Sequence, residues 1–156
     1  MKTIVEKTYR LLITIGNALR SPLLLVMRLY WGWQLFLTGK GKLMNLDRTA
    51  GFFESLHIPM PKLNAFMAGS TECFGGLLLL LGLASRLISI PVAVTMIVAY
   101  LTADMEAVRS IFSDPDKFIT AAPFMFLLTA VLVLTCGPGV FSLDAIIGRK
   151  FSGKKL

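Results

Sequence analysis

A chain of 156 residues that is 55% hydrophobic and only 16% charged, with a mean hydropathy of +0.72, has too few charges to cover its apolar surface in water. A lipid bilayer is therefore its natural solvent. The two cysteines, Cys73 and Cys136, lie far apart in apolar runs, and His57 is the single histidine. These counts exclude a disulfide-rich scaffold, a zinc knuckle, a thioredoxin-type dithiol, a bis-histidine haem within the chain and any metal site needing several imidazoles.

From the N-terminus, Thr3, Lys7, Arg10, Thr14 and Asn17 recur at helical spacing, with Val5, Leu12, Ile15 and Leu19 mostly on the other side. That pattern predicts an anchoring helix over residues 1–20 in the cytoplasmic interface. It is not read as a cleaved signal, because Arg28 interrupts the apolar core and no small-x-small site follows. A spanning helix needs roughly 20 mostly apolar residues. The first such interval, about 22–39, opens with Ser21-Pro22 as N-cap and first helical position and is broken only by Arg28. Asn45 then caps a short loop helix carrying Leu46, Phe52, Phe53 and Leu56, a lid stopped by Pro59 and Pro61. The second span, about 63–84, is broken only by Glu72; the third, about 87–103, is uncharged. Asp114-Pro115-Asp116 introduces a fourth, about 118–136, which Gly137-Pro138-Gly139 ends before a tail over 137–156. The expected fold is all-α, a single membrane domain over 1–156: a four-transmembrane-helix bundle with an N-terminal interfacial helix and a short helix in the first extracytoplasmic loop.

Four spans put both termini and the Arg86 linker on one side. That side carries Lys2, Lys7, Arg10, Arg20, Arg86, Arg149, Lys150, Lys154 and Lys155 against Glu6 and Asp144. The two longer loops balance their charges, and Arg28 cancels Glu72, so the whole formal excess of +7 lies on the terminal face. By the positive-inside rule both termini are cytoplasmic. Topology explains the basic balance, and no nucleic-acid partner is expected, since binding one would need the basic residues interleaved with aromatics on one surface. With no organelle signal, the expected location is a bacterial-type plasma membrane.

An ionisable group at membrane depth costs at least ~2.5–3.5 kcal/mol and normally faces the bundle interior, which singles out Arg28 and Glu72. Counting from Pro22 and Ala84 at ~1.5 Å per residue puts Gln34 level with Glu72 and Arg28 roughly 9 Å lower. An Arg28–Glu72 pair is then expected, with Arg28 as charge partner, either fixing helix register or serving a carboxyl that exchanges a proton with a ligand. Glu72 shares a face with Ala65, Ala68, Gly69, Gly75 and Gly76, where a neighbouring backbone can approach. Tyr30, Trp31, Trp33 and Gln34 crowd one and a half turns of the first span, as an interface belt, core packing or ligand contact. Lys40, Lys42 and Asp104 ring the far mouth, as solvated loop charges or ligand contacts.

Arg28, the Trp31-Gly32-Trp33-Gln34 run, Gly39-Lys40-Gly41-Lys42, Glu72 followed by Gly75-Gly76, the Gly82-x-x-Ser85-Arg86 turn and the closing Gly137-Pro138-Gly139-x-x-Ser142-Leu143-Asp144 together resemble the DoxX family of small four-helix membrane proteins, over about Leu23 to Asp144. The resemblance implies association with quinone-linked respiratory or sulfur-oxidising oxidoreductases, or with complexes that handle oxidative stress. The residues themselves supply no haem ligands, iron–sulfur cysteines or dinucleotide fingerprint, so electron transfer would involve a bound quinone or partner redox subunits. A quinone head is expected near Trp31 and Trp33, with Gln34, Arg28 and Glu72 supplying hydrogen bonds and a proton. Two readings stay open beside it: a proton-coupled carrier using Glu72, which would need a homo-oligomer, and a structural anchoring or assembly subunit.

Overall fold

A computed structural model describes residues 2–152, which form eight helices and no strand. They are α1 (Lys2–Met44), α2 (Leu46–Ser55), α3 (Pro61–Leu81), α4 (Ser85–Thr102), α5 (Met105–Arg109), α6 (Pro115–Thr120), α7 (Pro123–Cys136) and α8 (Leu143–Ser152). Three of them, α1, α3 and α4, are long and apolar enough to cross a membrane. At 14 residues, α7 reaches about 21 Å against the ~30 Å hydrocarbon core.

Two boundaries differ from the sequence expectation. No break occurs at Ser21-Pro22; α1 runs through it as one helix of 43 residues with Pro22 inside. Helix-favouring neighbours, Ala18, Leu19 and Arg20 before it and Leu23, Leu24 and Leu25 after it, outweigh the ~3 kcal/mol that an interior proline costs. The Ser21 hydroxyl, instead of capping, accepts the Val140 N–H at 3.4 Å. The fourth apolar interval is not one helix: α6 ends at Thr120 and α7 starts at Pro123, with an extended Ala121 (φ −61°, ψ 141°) between them. There the Phe118 carbonyl accepts the Tyr100 hydroxyl at 2.8 Å, and Pro123 has no N–H to return to Ile119, so the ladder cannot continue.

Small residues decide how α1 meets α3. A Cβ on Gly39 would overlap the Cys73 backbone, and one on Gly76 would overlap the Phe36 backbone and stand 2.6 Å from the Gly32 carbonyl. The two backbones therefore touch, as small-residue faces allow in a bilayer. Gly75 turns the other way and receives Val92 of α4. Between these helices and α7, Leu35, Leu79, Val92, Met96, Ala130 and Val133 form a buried apolar cluster.

The Gly137–Asp144 segment closes the end of the bundle at the α3–α4 turn, the terminal face expected from the sequence. α3 ends at Gly82 in the left-handed region (φ +70°), which leaves room for the Arg28 guanidinium and Ser142 against its Cα. The Asp144 carboxylate accepts the N–H groups of Ala84 (2.7 Å) and Ser85 (2.9 Å), so a residue 60 positions away caps α4. Its own N–H donates to the Gly82 carbonyl at 2.9 Å. Arg20 donates to the Cys136 carbonyl and Arg86 to that of Thr135, placing two cations at the negative end of α7.

Three substitutions check this packing in detergent micelles by thermal unfolding. Gly39→Val should cost at least ~1–3 kcal/mol as an overpacked contact, whereas Gly16→Ala, which meets nothing within 4 Å, should gain about 0.5–1 kcal/mol. Asp144→Ala should cost about 1–2 kcal/mol as a lost cap.

Candidate functional site

The register of α1 on α3 separates the two intramembrane charges expected to pair. Gly39 lies against Cys73 and the Glu72 carbonyl carbon. Arg28, eleven residues earlier, is roughly 16 Å away along the helix and packs against Gly82 instead. The level of Gln34 shifts too, about 7 Å below Gly39. The sequence-based depths fail because Pro22 and Ala84 are not level: α1 continues for well over a turn beneath the α3–α4 turn, where the closing segment packs.

Arg28 is 0% exposed. Its Nη2 donates to the Phe141 carbonyl at 2.5 Å and its Nε to that of Leu24 at 3.4 Å. No Arg28–Glu72 ion pair exists among the described residues. Guanidinium contacts with backbone carbonyls, with the Asp144 charge nearby, tie Arg28 to the closure of the terminal face.

Glu72 finds a different cation. Lys42 Nζ stands 2.5 Å from Glu72 Oε1, with side-chain exposures of 34% and 3%. Lys42 belongs to the last turn of α1 rather than to a loop, so it is not a solvated mouth charge but the half-buried partner of the membrane carboxylate. Glu72 Oε2 is buried and has no hydrogen-bond partner. Both residues line a cavity of about 910 Å³ at the opposite, loop face, walled by α1, α2, α3, α4 and the start of α7. Its wall is mainly apolar, with Phe52, Phe53, Met67, Met96 and Phe126 contributing. This is the usual composition of a small-molecule site: an apolar hollow with few polar groups.

α2 reaches the cavity through Phe52, Phe53 and Leu56 and is tethered by a left-handed His57 and Met60 (φ 58° and 47°). Asn45 precedes it without capping it; the Asn45 amide donates backwards to the Gly41 carbonyl at 3.0 Å. The extended Ala121 lies immediately before Ala122 and Pro123, which line the same cavity. Interrupted helix at membrane depth is tolerated where it faces such a space.

The other residues singled out from sequence divide. Asp104 lines the cavity; Lys40 is exposed and outside its wall. Trp31 is half-buried behind the wall, edge-on to Phe126 (ring centroids 5.8 Å) and to Tyr30 (4.8 Å). Tyr30 and Trp33 are exposed, Gln34 is half-buried, and none of the three lines the cavity. Sequence reasoning missed Arg48, Asn64 and Thr71. Thr71 adjoins Glu72, and Asn64 lies two turns before it on one face, a signal that period-3.6 reading could have supplied.

The DoxX family model matches residues 23–105, more than half of the chain. "Putative oxidoreductase CatD" of Bacillus subtilis (strain 168) is 30% identical over 131 residues, which is 84% of this chain and 89% of that protein. "Uncharacterized membrane protein Rv3486" of Mycobacterium tuberculosis (strain ATCC 25618 / H37Rv) is 28% identical over 141 residues, 83% of each. No solved structure matches. Arg28, Lys42 and Glu72 lie within the matched stretch, and the chain belongs to the DoxX family, as a multi-pass protein embedded in the lipid bilayer.

Proposed function

We propose that this chain is the quinone-binding subunit of a membrane oxidoreductase, with its ligand seated in the loop-face cavity rather than beside Trp31 and Trp33. The observation that carries the reading is Glu72 Oε2, a buried carboxylate oxygen with no partner on the wall of a large apolar cavity. The name of CatD supports the class of reaction.

The residues fit a quinone head and the start of its tail. A volume of about 910 Å³ lies in the range of small-molecule sites, ~300–1,000 Å³. A bound quinone supplies two-electron, two-proton chemistry. Lys42 holds the Glu72 carboxylate in one orientation through Oε1 and leaves Oε2 to the ligand. Glu72 is positioned to accept a hydrogen bond, and then a proton, at Oε2. Phe52, Phe53 and Phe126 keep water from the head, with α2 as a cover. Asp104 and Arg48, also on the wall, supply groups through which a proton would pass to water at the loop face. Electrons pass to a partner redox subunit.

In this arrangement α6 and α7 together make the fourth crossing of a four-helix bundle. Both termini are cytoplasmic, following the +7 excess on the terminal face, in a bacterial-type plasma membrane. The carrier reading has less support: Leu35, Leu79, Val92, Met96, Ala130 and Val133 form a buried apolar cluster that lies between the levels of Glu72 and Arg28 and blocks passage from one face to the other.

Purified protein in nanodiscs should bind a quinone analogue. Ala99→Trp, which fills the cavity, should weaken that binding at least about tenfold, ~1.4 kcal/mol; Trp33→Ala, on the outer surface, should leave it unchanged. Absence of binding to the intact protein, or loss on Trp33→Ala alone, overturns the assignment. Lys42→Ala should also cost about 3 kcal/mol in thermal unfolding, at the low edge of the ~3–5 for breaking a buried pair, because Lys42 keeps 34% exposure. Lys42→Met with Glu72→Leu should recover most of that stability while abolishing quinone-analogue binding.

A further inference from the structure

The polar groups of the cavity wall have unequal needs. Six side chains that could donate to a ligand are already committed to backbone carbonyls, while Arg48 and Thr71 on the same wall keep their donors. Thr38 donates to Leu35, Asn45 to Gly41, Thr49 to Asn45, Asn64 to Pro59, Thr95 to Pro91 and Thr102 to Val98. Lys42 gives one N–H to Glu72 and keeps two more donors, on a side chain that is 34% exposed. Glu72 Oε2 has no such recourse: its side chain is 3% exposed and the atom has no donor among the described residues. A salt-bridged carboxylate is an acceptor only, and a buried charged acceptor left unmet is costly. Asp104 adds a second acceptor to the same wall.

A dione offers acceptors alone: Lys42, Arg48 or Thr71 could meet its carbonyls, but it brings nothing to satisfy Glu72 Oε2. A diol brings two hydroxyl donors, one of which can meet Oε2 directly. We infer that the cavity selects the reduced, dihydroxylated head over the oxidised dione, and that Glu72 Oε2 is the atom that discriminates. The inference rests on the assignment of a quinone-class ligand to this cavity and specifies which redox form the site holds. The same logic governs sites built around a substrate hydroxyl, where the analogue lacking it leaves a buried polar group unpaired.

Selection of the diol has an equilibrium consequence. Tighter binding of the reduced form raises the midpoint potential of the bound couple, by about 30 mV for each tenfold in affinity of a two-electron couple.

The test uses trimethyl-p-benzoquinone and the corresponding quinol, titrated anaerobically into the full chain in nanodiscs by calorimetry. The quinol should bind about tenfold more tightly than the quinone. Glu72→Gln, whose amide offers both a donor and an acceptor, should bring the two affinities within about twofold by loosening the quinol. The potential of the couple bound to the unmodified protein gives a measurement independent of any variant, and should lie about 30 mV above that of the free couple. Equal affinities and an unshifted potential overturn the inference, as does a preference that survives in folded Glu72→Gln. Failure of either form to bind the unmodified protein overturns instead the assignment of the cavity on which the inference stands.

Discussion

Contact between the backbones of α1 and α3 governs the distances that matter in this bundle. Gly32, Gly39 and Gly76 remove the side chains that would hold the helices apart, and in lipid such close packing replaces the hydrophobic drive that water would supply. Once Gly39 sits on Cys73, Lys42 has Glu72 as its neighbour and Arg28 has Gly82. Sliding α1 by one turn, ~5.4 Å, would break the Lys42–Glu72 pair at one end and displace Arg28 from Phe141 at the other. The ionic groups thus report the register, and the glycines set it.

The two charged sites have opposite characters although each buries one ionisable group. Arg28 is enclosed by the chain itself: a backbone carbonyl from the closing segment, one from its own helix, and a left-handed glycine against its face. Glu72 is served by a single lysine and borders open volume. Removing a charge from water is expensive and is offset only when its remaining hydrogen-bond capacity is used. At Arg28 the fold supplies two carbonyl acceptors, to Nε and Nη2, and leaves Nη1 buried against Gly82 without a hydrogen-bond partner. At Glu72 one carboxylate oxygen is left over, and what distinguishes it is that the residue borders open volume. An apolar cluster lies between the two levels, so the closed end and the open end are chemically independent.

Much of the fold is legible from where charges are missing. The expected spans at 63–84 and 87–103 meet α3 and α4 within two or three residues, because a bilayer punishes charge and the left-handed Gly82 and Ala84 make the turn short. Pro22 and the Phe118 region were illegible for one reason: a proline can start, bend or interrupt a helix, and which it does depends on tertiary partners such as Tyr100 and Val140. For the site, sequence isolates Glu72 and Arg28 as the informative residues and cannot pair them, since opposite charge says nothing of relative height. Lys42 was hidden by its setting. Gly39-Lys40-Gly41-Lys42 reads as the end of a span, yet it continues as helix up to Met44, which turns Lys42 back over the cavity. The aromatic run was conspicuous by composition, but period 3.6 sends Tyr30 and Trp33 outward and leaves only Trp31 touching the wall through Phe126.

The enclosure of Arg28 also orders the biogenesis of the protein. Its acceptor on Phe141 leaves the ribosome 113 residues after Arg28 does, and the Asp144 carboxylate that caps α4 emerges later still. Until those residues have been made, the Arg28 guanidinium lacks its long-range acceptor. The guanidinium therefore gains this acceptor only when the last segment has folded back over one of the chain's earliest charges.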